Sequence, residues 1–214
     1  MVSHAEHGAP RGSKGPPGLV LHGAGRYDLT VWLMTLGHER GFRDDILALA
    51  NLEPGERVLD VGCGSGTLAI AARRLVGSTG AVSGIDASVE MIARAQGKAR
   101  KARLHVSFVE APAQALPFPD GSFDVTFSTI MLHHLPRKGR EQAIAEMRRV
   151  LRPGGRALIV EFSASKGLLG PFHRHGHVDR DDILAMVRSA GMMPVHSGEA
   201  ARRSDLHFVL ATVP

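Results

Sequence analysis

The sequence predicts an α/β fold, in which a doubly wound and mostly parallel sheet of seven strands carries helices on both faces. From residue 57 to residue 190, short apolar runs alternate with stretches whose apolar residues recur at helical spacing. This alternation is typical of parallel strands joined by crossover helices. Two further runs, 193–197 and 206–213, follow without a helix between them and predict a C-terminal antiparallel hairpin.

The elements follow in order along the chain. Apolar residues at helical spacing over 27–36 and 38–52 predict one or two helices before the sheet, and Pro54-Gly55 ends them. We predict strands over 57–61, 81–86, 104–109, 123–128 and 156–162, and helices over 67–76, 88–102, 139–151 and 179–190. Ser88 and Asp179 are placed to cap the helices that they begin.

Length and composition indicate one domain behind a polar tail. The chain has 214 residues, of which 43% are hydrophobic and 22% charged, as in ordinary globular proteins. Residues 1–18 are rich in Gly, Pro, Ser and His, and we expect them to be a disordered tail. The single domain would then span 19–214, with a helical lid over 19–53 and the sheet over 54–214.

Hydropathy, charge and cysteine content indicate the compartment of the protein and the partners that it could bind. No apolar run reaches the roughly 18 residues of a membrane span, and no signal-peptide pattern is present. The one cysteine, Cys63, cannot form an internal disulfide, which fits a cytoplasmic protein. The formal charge of +5 is compatible with nucleic acid or with peripheral contact to an anionic membrane. However, the densest basic group, 98–103, falls at the end of a predicted helix, where cations complement the helix dipole.

The most informative stretch is residues 58–66, with the sequence VLDVGCGSG. It predicts a buried strand, a glycine-rich turn and the start of a helix. Gly62, Gly64 and Gly66 permit positive φ and let a small ligand lie against the backbone. Their spacing is G-x-G-x-G, whereas the dinucleotide fingerprint is G-x-G-x-x-G. Asp60 adds a negative charge before the turn, which opposes a pyrophosphate and favours a cationic ligand.

This turn resembles motif I of the class I methyltransferases that use S-adenosylmethionine (SAM), a donor that carries a sulfonium and an ammonium but no phosphate. The resemblance implies a Rossmann-like core with SAM as cofactor. The residues that would bind it are Asp60, Gly62, Cys63, Gly64, Gly66, Asp86, Ala87, Ala113, Gln114 and Thr129. Asp86 ends the second predicted strand, where a carboxylate can accept hydrogen bonds from both ribose hydroxyls. We interpret Cys63 as a small packing residue of the turn rather than a nucleophile.

Residues 111–124, with the sequence APAQALPFPDGSFD, resemble the stretch that leads from the adenine pocket of this family into the fourth strand. Family members usually carry Asp or Asn where this chain has Pro112, and that side chain binds the adenine amino group. Because proline cannot do so, we expect adenine to be read by backbone groups near Ala113 or by Gln114.

A narrower resemblance appears towards the fifth strand. Residues 149–155 (RVLRPGG) and 161–163 (EFS) are similar to the ubiquinone/menaquinone-biosynthesis C-methyltransferase group, as are 27–29 (YDL), 37–38 (GH) and Arg40. The resemblance covers about residues 26–163. Thr30-Val31 stand where that group usually has Met-Asn, and the aromatic-rich segment expected after residue 163 is missing. The resemblance therefore implies methyl transfer and leaves the quinone substrate open.

Ligands of open α/β sheets bind at the carboxyl ends of the strands, so the acceptor should lie there. We expect Tyr27, Trp32, Met131 and Glu161 to contact it. His133 and His134, just beyond the fourth strand, are the candidate catalytic bases by intrinsic basicity. Alternatively, one of the histidines packs at a helix start, and Glu161 only supports the turn after its strand.

The alternating His173, His175 and His177 would place three imidazoles on one side of an extended segment, as in some metal sites. No cysteine or second histidine cluster accompanies them, so we predict no metal and interpret this segment as a polar loop at the substrate rim.

These observations predict methyl transfer from SAM to a small aromatic or apolar acceptor by in-line displacement. Two alternatives stay open. One is methylation of RNA or DNA, although the chain has neither the Asn/Asp-Pro-Pro-Tyr motif after the fourth strand nor a free cysteine nucleophile. The other is a SAM-binding protein that transfers no methyl group, such as a cyclase or a regulatory partner. The oligomeric state does not follow from the sequence.

Overall fold

One mixed sheet organises the part of the chain that the structure, a computed structural model, describes, namely residues 39–163, 177–200 and 203–214. Its strands are β1 (Arg57–Val61), β2 (Ala81–Asp86), β3 (Ser107–Glu110), β4 (Phe123–Thr129), β5 (Leu151–Phe162), β6 (Met193–Ala200) and β7 (Arg203–Thr212). They lie in the order β3-β2-β1-β4-β5-β7-β6. The first five are parallel, and β7 is antiparallel to both of its neighbours.

Helices cover both faces of this sheet. The helices are α1 (Glu39–Ala50), α2 (Thr67–Val76), α3 (Val89–Ala102), α4 (Arg137–Val150) and α5 (Arg180–Ser189). The first three share one buried apolar cluster with the sheet, and the last two share the other. The predicted fold class, with its parallel sheet and C-terminal hairpin, is therefore confirmed. Within the described ranges, no helix has the length and apolar character needed to cross a membrane.

The order of the strands reverses at β1, and this reversal positions the site. The chain runs from β1 outward to β2 and β3, and then places β4 on the other side of β1. Val61, the last residue of β1, pairs with Ile85 of β2 and with Ser128 of β4, so these strands end at nearly the same level. The carboxyl ends of β1 and β4 therefore flank the crevice in which sheets of this type bind ligands.

Several element ends differ from the prediction. The Ser88 hydroxyl caps α3 as predicted, by accepting a 3.4 Å hydrogen bond from the Met91 N–H. Asp179 occupies the N-cap position of α5 but makes no capping bond, because its carboxylate binds His177 Nε2 at 2.8 Å instead. Strand β5 begins at Leu151 rather than at residue 156, since Leu151 already pairs with Phe123 before an irregularity shifts the register.

Candidate active site

The glycine-rich turn after β1 is held against β2 by backbone hydrogen bonds. The N–H groups of Gly62 and Cys63 both donate to the Ile85 carbonyl, at 2.9 and 2.8 Å. Gly62, Gly64 and Gly66 have φ values of +76°, +51° and +76°, a region that L side chains rarely adopt. The turn therefore has the left-handed backbone that its glycines predict.

Two of these glycines also allow close packing. A Cβ added to Gly66 would lie 2.7 Å from both Ala95 Cβ and Phe108 Cζ, so the missing side chain lets α2 start against α3 and β3. A Cβ added to Gly62 would lie 2.4 Å from Met131 Cγ. Met131 follows β4, so the side chain expected at the acceptor lies directly on the turn expected to hold the cofactor.

Asp60, the residue before the turn, is a buried carboxylate, and one of its two oxygens has no hydrogen-bond partner among the described residues. It is 2% exposed, and within the described ranges its Oδ2 makes no hydrogen bond. Burial, reinforced by the negative charge of Asp86, raises the pKa of Asp60 to about 7, and a backbone hydrogen bond from Ala69 opposes this only in part. A buried carboxylate of this kind is costly unless a positive charge approaches it.

Asp86, at the end of β2, supports the turn from the other side. Its Oδ2 accepts the Gly64 N–H and its Oδ1 accepts the Ser88 N–H, both at 2.9 Å. Burial raises the pKa of Asp86, and these two backbone bonds oppose the increase. Each carboxylate oxygen still has a second lone pair for a ligand hydroxyl. The adjoining Ala87 is exposed at the rim.

Cys63 is buried inside the turn, and its thiol lies 3.7 Å from the Gly64 carbonyl oxygen. Burial, together with the negative charges of Asp60 and Asp86, raises the pKa of the Cys63 thiol. The side chain therefore stays a neutral thiol, which agrees with its interpretation as a packing residue rather than a nucleophile.

The segment after β3 borders the same crevice. Its first backbone N–H, that of Ala111, donates to the Asp86 carbonyl at 3.0 Å. Ala113 is buried. The half-buried Gln114 turns towards the start of α4, where its Nε2 would lie 3.1 Å from a Cβ on Gly139. Of the two groups expected to read adenine, the backbone near Ala113 is therefore better placed beside Asp86 than the Gln114 side chain.

Arg149 of α4 clamps this segment to the core. Its guanidinium donates to the carbonyls of Leu116 and Phe118, at 3.0 and 2.8 Å, and to the carboxylates of Asp120 and Glu146. The hydrogen bonds to Glu146 and Asp120 raise the pKa of Arg149. The sequence indicated only that Arg149 lies near a helix end, because its partners Leu116, Phe118 and Asp120 are about thirty residues away.

Replacing Arg149 by methionine is expected to lower the free energy of unfolding by about 1–2 kcal/mol, because two carbonyls and two carboxylates lose a charged donor. Urea unfolding would measure the loss. Arg137→Met is the control, since its bond to Glu141 is exposed and should be worth at most about 0.5 kcal/mol. Equal losses in the two variants would contradict the clamp.

The chain leaves β4 through a strained turn that Glu161 holds. Ile130 has φ of +52°, although it is β-branched, and its N–H donates to the Val160 carbonyl at 2.8 Å. Glu161, at the end of β5, is 1% exposed. Its Oε1 accepts the N–H groups of Met131 and Leu132 at 2.9 and 2.6 Å, and these bonds fix the turn.

The two candidate catalytic histidines lie in the 3₁₀ helix that follows, Leu132–His134. His133 Nδ1 lies 2.9 Å from Glu161 Oε2, and the two histidine rings are 4.0 Å apart between centroids. Burial, and the neighbouring His133, lower the pKa of His134. The negative charge of Glu161 opposes this decrease in part. Among the described residues, His133 is the member of the pair that has a carboxylate partner.

The structure brings most of the predicted residues to one end of the sheet. The cofactor set surrounds the turn and the ends of β2 and β4, and Thr129, the last residue of β4, has a buried hydroxyl that is unpaired among the described residues. Tyr27, Trp32, His173 and His175 lie outside the described residues. His177, which is described, binds Asp179, and the described ranges contain no group of three metal-ligating side chains.

The residues around the turn fit SAM by their chemistry. Asp60 offers an unpaired buried oxygen to a positive charge, and Asp86 offers acceptors for hydroxyl groups. The glycines leave the backbone of the turn uncovered by side chains of their own. The carboxylates of Asp60 and Asp86 would repel a pyrophosphate at this point.

Comparison with known proteins agrees with this geometry. A family model described as "Methyltransferase domain" matches residues 58–155. The ubiquinone/menaquinone biosynthesis C-methyltransferase UbiE of Erwinia tasmaniensis is 40% identical over 147 residues, which cover 67% of this chain and 58% of that protein. The chain thus spans little more than half the length of the curated relatives that it matches.

Solved structures share the fold. A SAM-dependent methyltransferase from Aquifex aeolicus has a TM-score of 0.71 at 24% identity, over 80% of this chain and 89% of that one. The [4+2]-cyclase SpnF has a TM-score of 0.69 at 23% identity, over 80% of this chain and 79% of that one. These likenesses concern the fold alone. Together, the matched domain, the 40% identical relative and the architecture show that the chain belongs to the class I SAM-dependent methyltransferases.

Proposed function

We propose that this protein transfers a methyl group from SAM to a small aromatic or apolar molecule. The observation that carries the proposal is the buried Oδ2 of Asp60, just before the glycine turn, which has no hydrogen-bond partner among the described residues. A buried carboxylate that no positive charge neutralises is destabilising in the free protein, and a cationic ligand compensates for it. A nicotinamide or flavin dinucleotide would instead bring a pyrophosphate to the same place.

In this proposal each residue of the turn has a separate task. Asp60 attracts the positive end of SAM, and the left-handed glycines let it approach the main chain. Asp86 fixes the ribose hydroxyls, and the backbone near Ala113 reads the adenine. Thr129, at the end of β4, offers SAM a buried hydroxyl that has no partner among the described residues.

SAM bound in this way supplies a methyl group that is already activated by the positive sulfur. The protein therefore has to hold the acceptor in line and exclude water, and positioning of this kind can supply roughly 7–11 kcal/mol of the barrier. Where the acceptor must lose a proton, His133 takes it. His133 has the better geometry of the two histidines because Glu161 orients its ring.

The acceptor class follows from the side chains at the end of β4 and β5. Ile130, Met131 and Phe162 are partly buried apolar residues there, and Phe162 packs edge-on against His133 with ring centroids 5.8 Å apart. An apolar or aromatic molecule suits such walls. The name of the 40% identical relatives, which concerns ubiquinone and menaquinone biosynthesis, makes ring-hydroxylated quinone precursors the first acceptors to try.

Location and domain organisation belong to the same proposal. The single cysteine fits a cytoplasmic protein. The division into a tail, 1–18, and one domain, 19–214, with a lid over 19–53, stays a prediction because residues 1–38 lie outside the described ranges.

To test the proposal directly, the protein is incubated with SAM labelled in its methyl group and with a panel of acceptors. Methylated products are then identified by mass spectrometry. The panel contains hydroxylated aromatic molecules, quinols, tRNA and duplex DNA. A labelled small aromatic product supports the proposal, and labelled nucleic acid would replace it. SAM that binds in calorimetry but yields no product with any acceptor would favour a SAM-binding protein without methyl transfer.

Asp86→Ala is expected to weaken SAM binding about 10- to 100-fold, because the ribose loses its acceptor and Gly64 loses the bond that shapes the turn. Isothermal calorimetry would measure the dissociation constant. Glu110→Ala is the matched control, since Glu110 is an exposed carboxylate at the end of the neighbouring β3. Unchanged affinity in Asp86→Ala would remove Asp86 from the cofactor site.

A further inference from the structure

We propose that Glu161 is a positioning residue that fixes the proton of the His133 ring on Nδ1, so that Nε2 is the nitrogen that accepts the acceptor's proton. The inference rests on the proposed function only for its last step. Its first step, the tautomer of His133, is a property of the protein alone.

The two oxygens of Glu161 have different partners. Oε1 accepts two backbone N–H groups, those of Met131 and Leu132, whereas the partner of Oε2 among the described residues is His133 Nδ1, at 2.9 Å. Since an ionised carboxylate can only accept hydrogen bonds, Nδ1 must carry the proton. In the neutral ring Nε2 then has the free lone pair.

Burial makes this arrangement rigid. Glu161 is 1% exposed, and its three donors converge from consecutive residues of one turn. Ile130, directly before that turn, has φ of +52°, a conformation that persists only where its surroundings determine it. The same carboxylate therefore fixes both the backbone of the turn and the orientation of the His133 ring.

The chemical consequence concerns one proton. When the acceptor loses its proton, the O–H or C–H electron pair stays on the acceptor atom, and the proton binds the lone pair of His133 Nε2. The ring becomes a cation with a proton on each nitrogen, and the negative charge of Glu161 stabilises it through Nδ1–H. His134 stays neutral beside it, because burial and His133 lower its pKa.

The asymmetry of Glu161 makes Glu161→Gln a sharp test. The amide oxygen can replace Oε1 and keep both backbone bonds, and the amide NH₂ then faces Nδ1. An NH₂ group can only donate, so Nδ1 must become the acceptor and the proton must move to Nε2. The turn is preserved while the nitrogen that should accept a proton is blocked.

The primary measurement is ¹⁵N NMR of the histidine rings at a pH where they are neutral, with His133 assigned through His133→Asn. We expect the Nδ1–H tautomer in the unmodified protein and the Nε2–H tautomer in Glu161→Gln. An Nε2–H tautomer in the unmodified protein would overturn the proposal, and so would an unchanged tautomer in the variant. The first of these outcomes is decisive even if Glu161→Gln fails to fold.

Activity then tests the second step, with the acceptor found by labelled SAM. Glu161→Gln should lower kcat about 100-fold, within the usual range for proton transfer, and change the SAM dissociation constant and the acceptor KM by less than about twofold. His133→Asn, whose amide can still donate to Glu161, should lose the same activity with an intact fold. In the double variant, adding Glu161→Gln to His133→Ala should lower kcat by no more than about a further twofold.

These outcomes separate the inference from the proposed function. If no acceptor is methylated, the proposed function fails, while the tautomer still shows whether Glu161 positions the ring. If methyl transfer is found but the losses from Glu161→Gln and His133→Ala multiply, Glu161 acts on the acceptor directly and the inference is wrong.

Discussion

Gly66→Ala is expected to lower the free energy of unfolding by about 2–5 kcal/mol. The left-handed backbone at Gly66 costs an alanine roughly 1–2 kcal/mol, and forcing a methyl group into a filled core adds about 1–3 kcal/mol. The second cost arises because the new Cβ would lie 2.7 Å from Ala95 Cβ and from Phe108 Cζ. Urea unfolding followed by circular dichroism would measure the change.

Gly191→Ala separates the two causes. Gly191 has φ of +78°, close to the +76° of Gly66, but no heavy atom lies within 4 Å of its added Cβ. This variant should therefore show only the backbone cost, about 1 kcal/mol. If both alanine variants lose the same stability, the packing of α2 against α3 and β3 is not what demands glycine at position 66.

Asp60→Asn is expected to stabilise the free protein and to weaken SAM binding. Burial and the negative charge of Asp86 raise the pKa of Asp60 from its ordinary value of 3.8 to about 7 in the folded chain. A raised carboxyl pKa means that the folded state holds the proton more tightly, so wild-type stability falls as pH rises from about 4 to about 7. Because asparagine carries no charge, the Asp60→Asn variant does not lose stability in this way as the pH rises.

The stability of Asp60→Asn relative to wild type should increase as pH rises from about 4, reach its full value above about pH 7, and show no gain near pH 4. Each pKa unit corresponds to about 1.4 kcal/mol, and burial of the amide offsets part of the total, so we expect about 2 kcal/mol at pH 8. Asp124→Asn is the control with the opposite sign. The bonds from Arg152 and Arg57 outweigh burial and lower the pKa of Asp124, so its replacement should destabilise the protein at neutral pH.

The same titration should control SAM affinity. Only ionised Asp60 attracts the cofactor, so from pH 8 to pH 6 wild-type binding should weaken about tenfold relative to Asp60→Asn. The comparison at each pH cancels any change in the ionisation of SAM itself. Calorimetry would measure both proteins, and parallel pH profiles would show that Asp60 does not face the positive end of the ligand.

The fold was largely predictable because its signals are local. Each strand and each core helix has its own apolar periodicity, and the glycines at 62, 64 and 66 identify the turn without knowledge of its neighbours. Errors concentrated where pairing decides the boundary, as at Leu151, whose partner Phe123 is distant in sequence. Asp179 failed as a cap because a nearby histidine competed for its carboxylate.

The working geometry of the site was less predictable. Glu161 was expected to touch the acceptor or only to support the turn after its own strand, whereas its carboxylate contacts three consecutive residues of the turn after β4. The available signal was the place of Glu161 in an apolar strand, residues 157–162 with the sequence ALIVEF. An acidic residue in such a strand is buried and therefore requires hydrogen-bond partners. The Arg149 clamp had no comparable signal, because the segment that it binds, 116–120, becomes its neighbour only when the sheet assembles.

The position of Met131 on Gly62 has a consequence for how such a protein can change. In the proposed site, the Met131 side chain lies between the turn that would hold SAM and the place expected for the acceptor, and its Cγ would clash with a Cβ at residue 62. Mutations at 131 that adapt the protein to a new acceptor would therefore also alter how firmly the donor is retained. A single substitution at residue 131 should consequently change substrate preference and cofactor occupancy together.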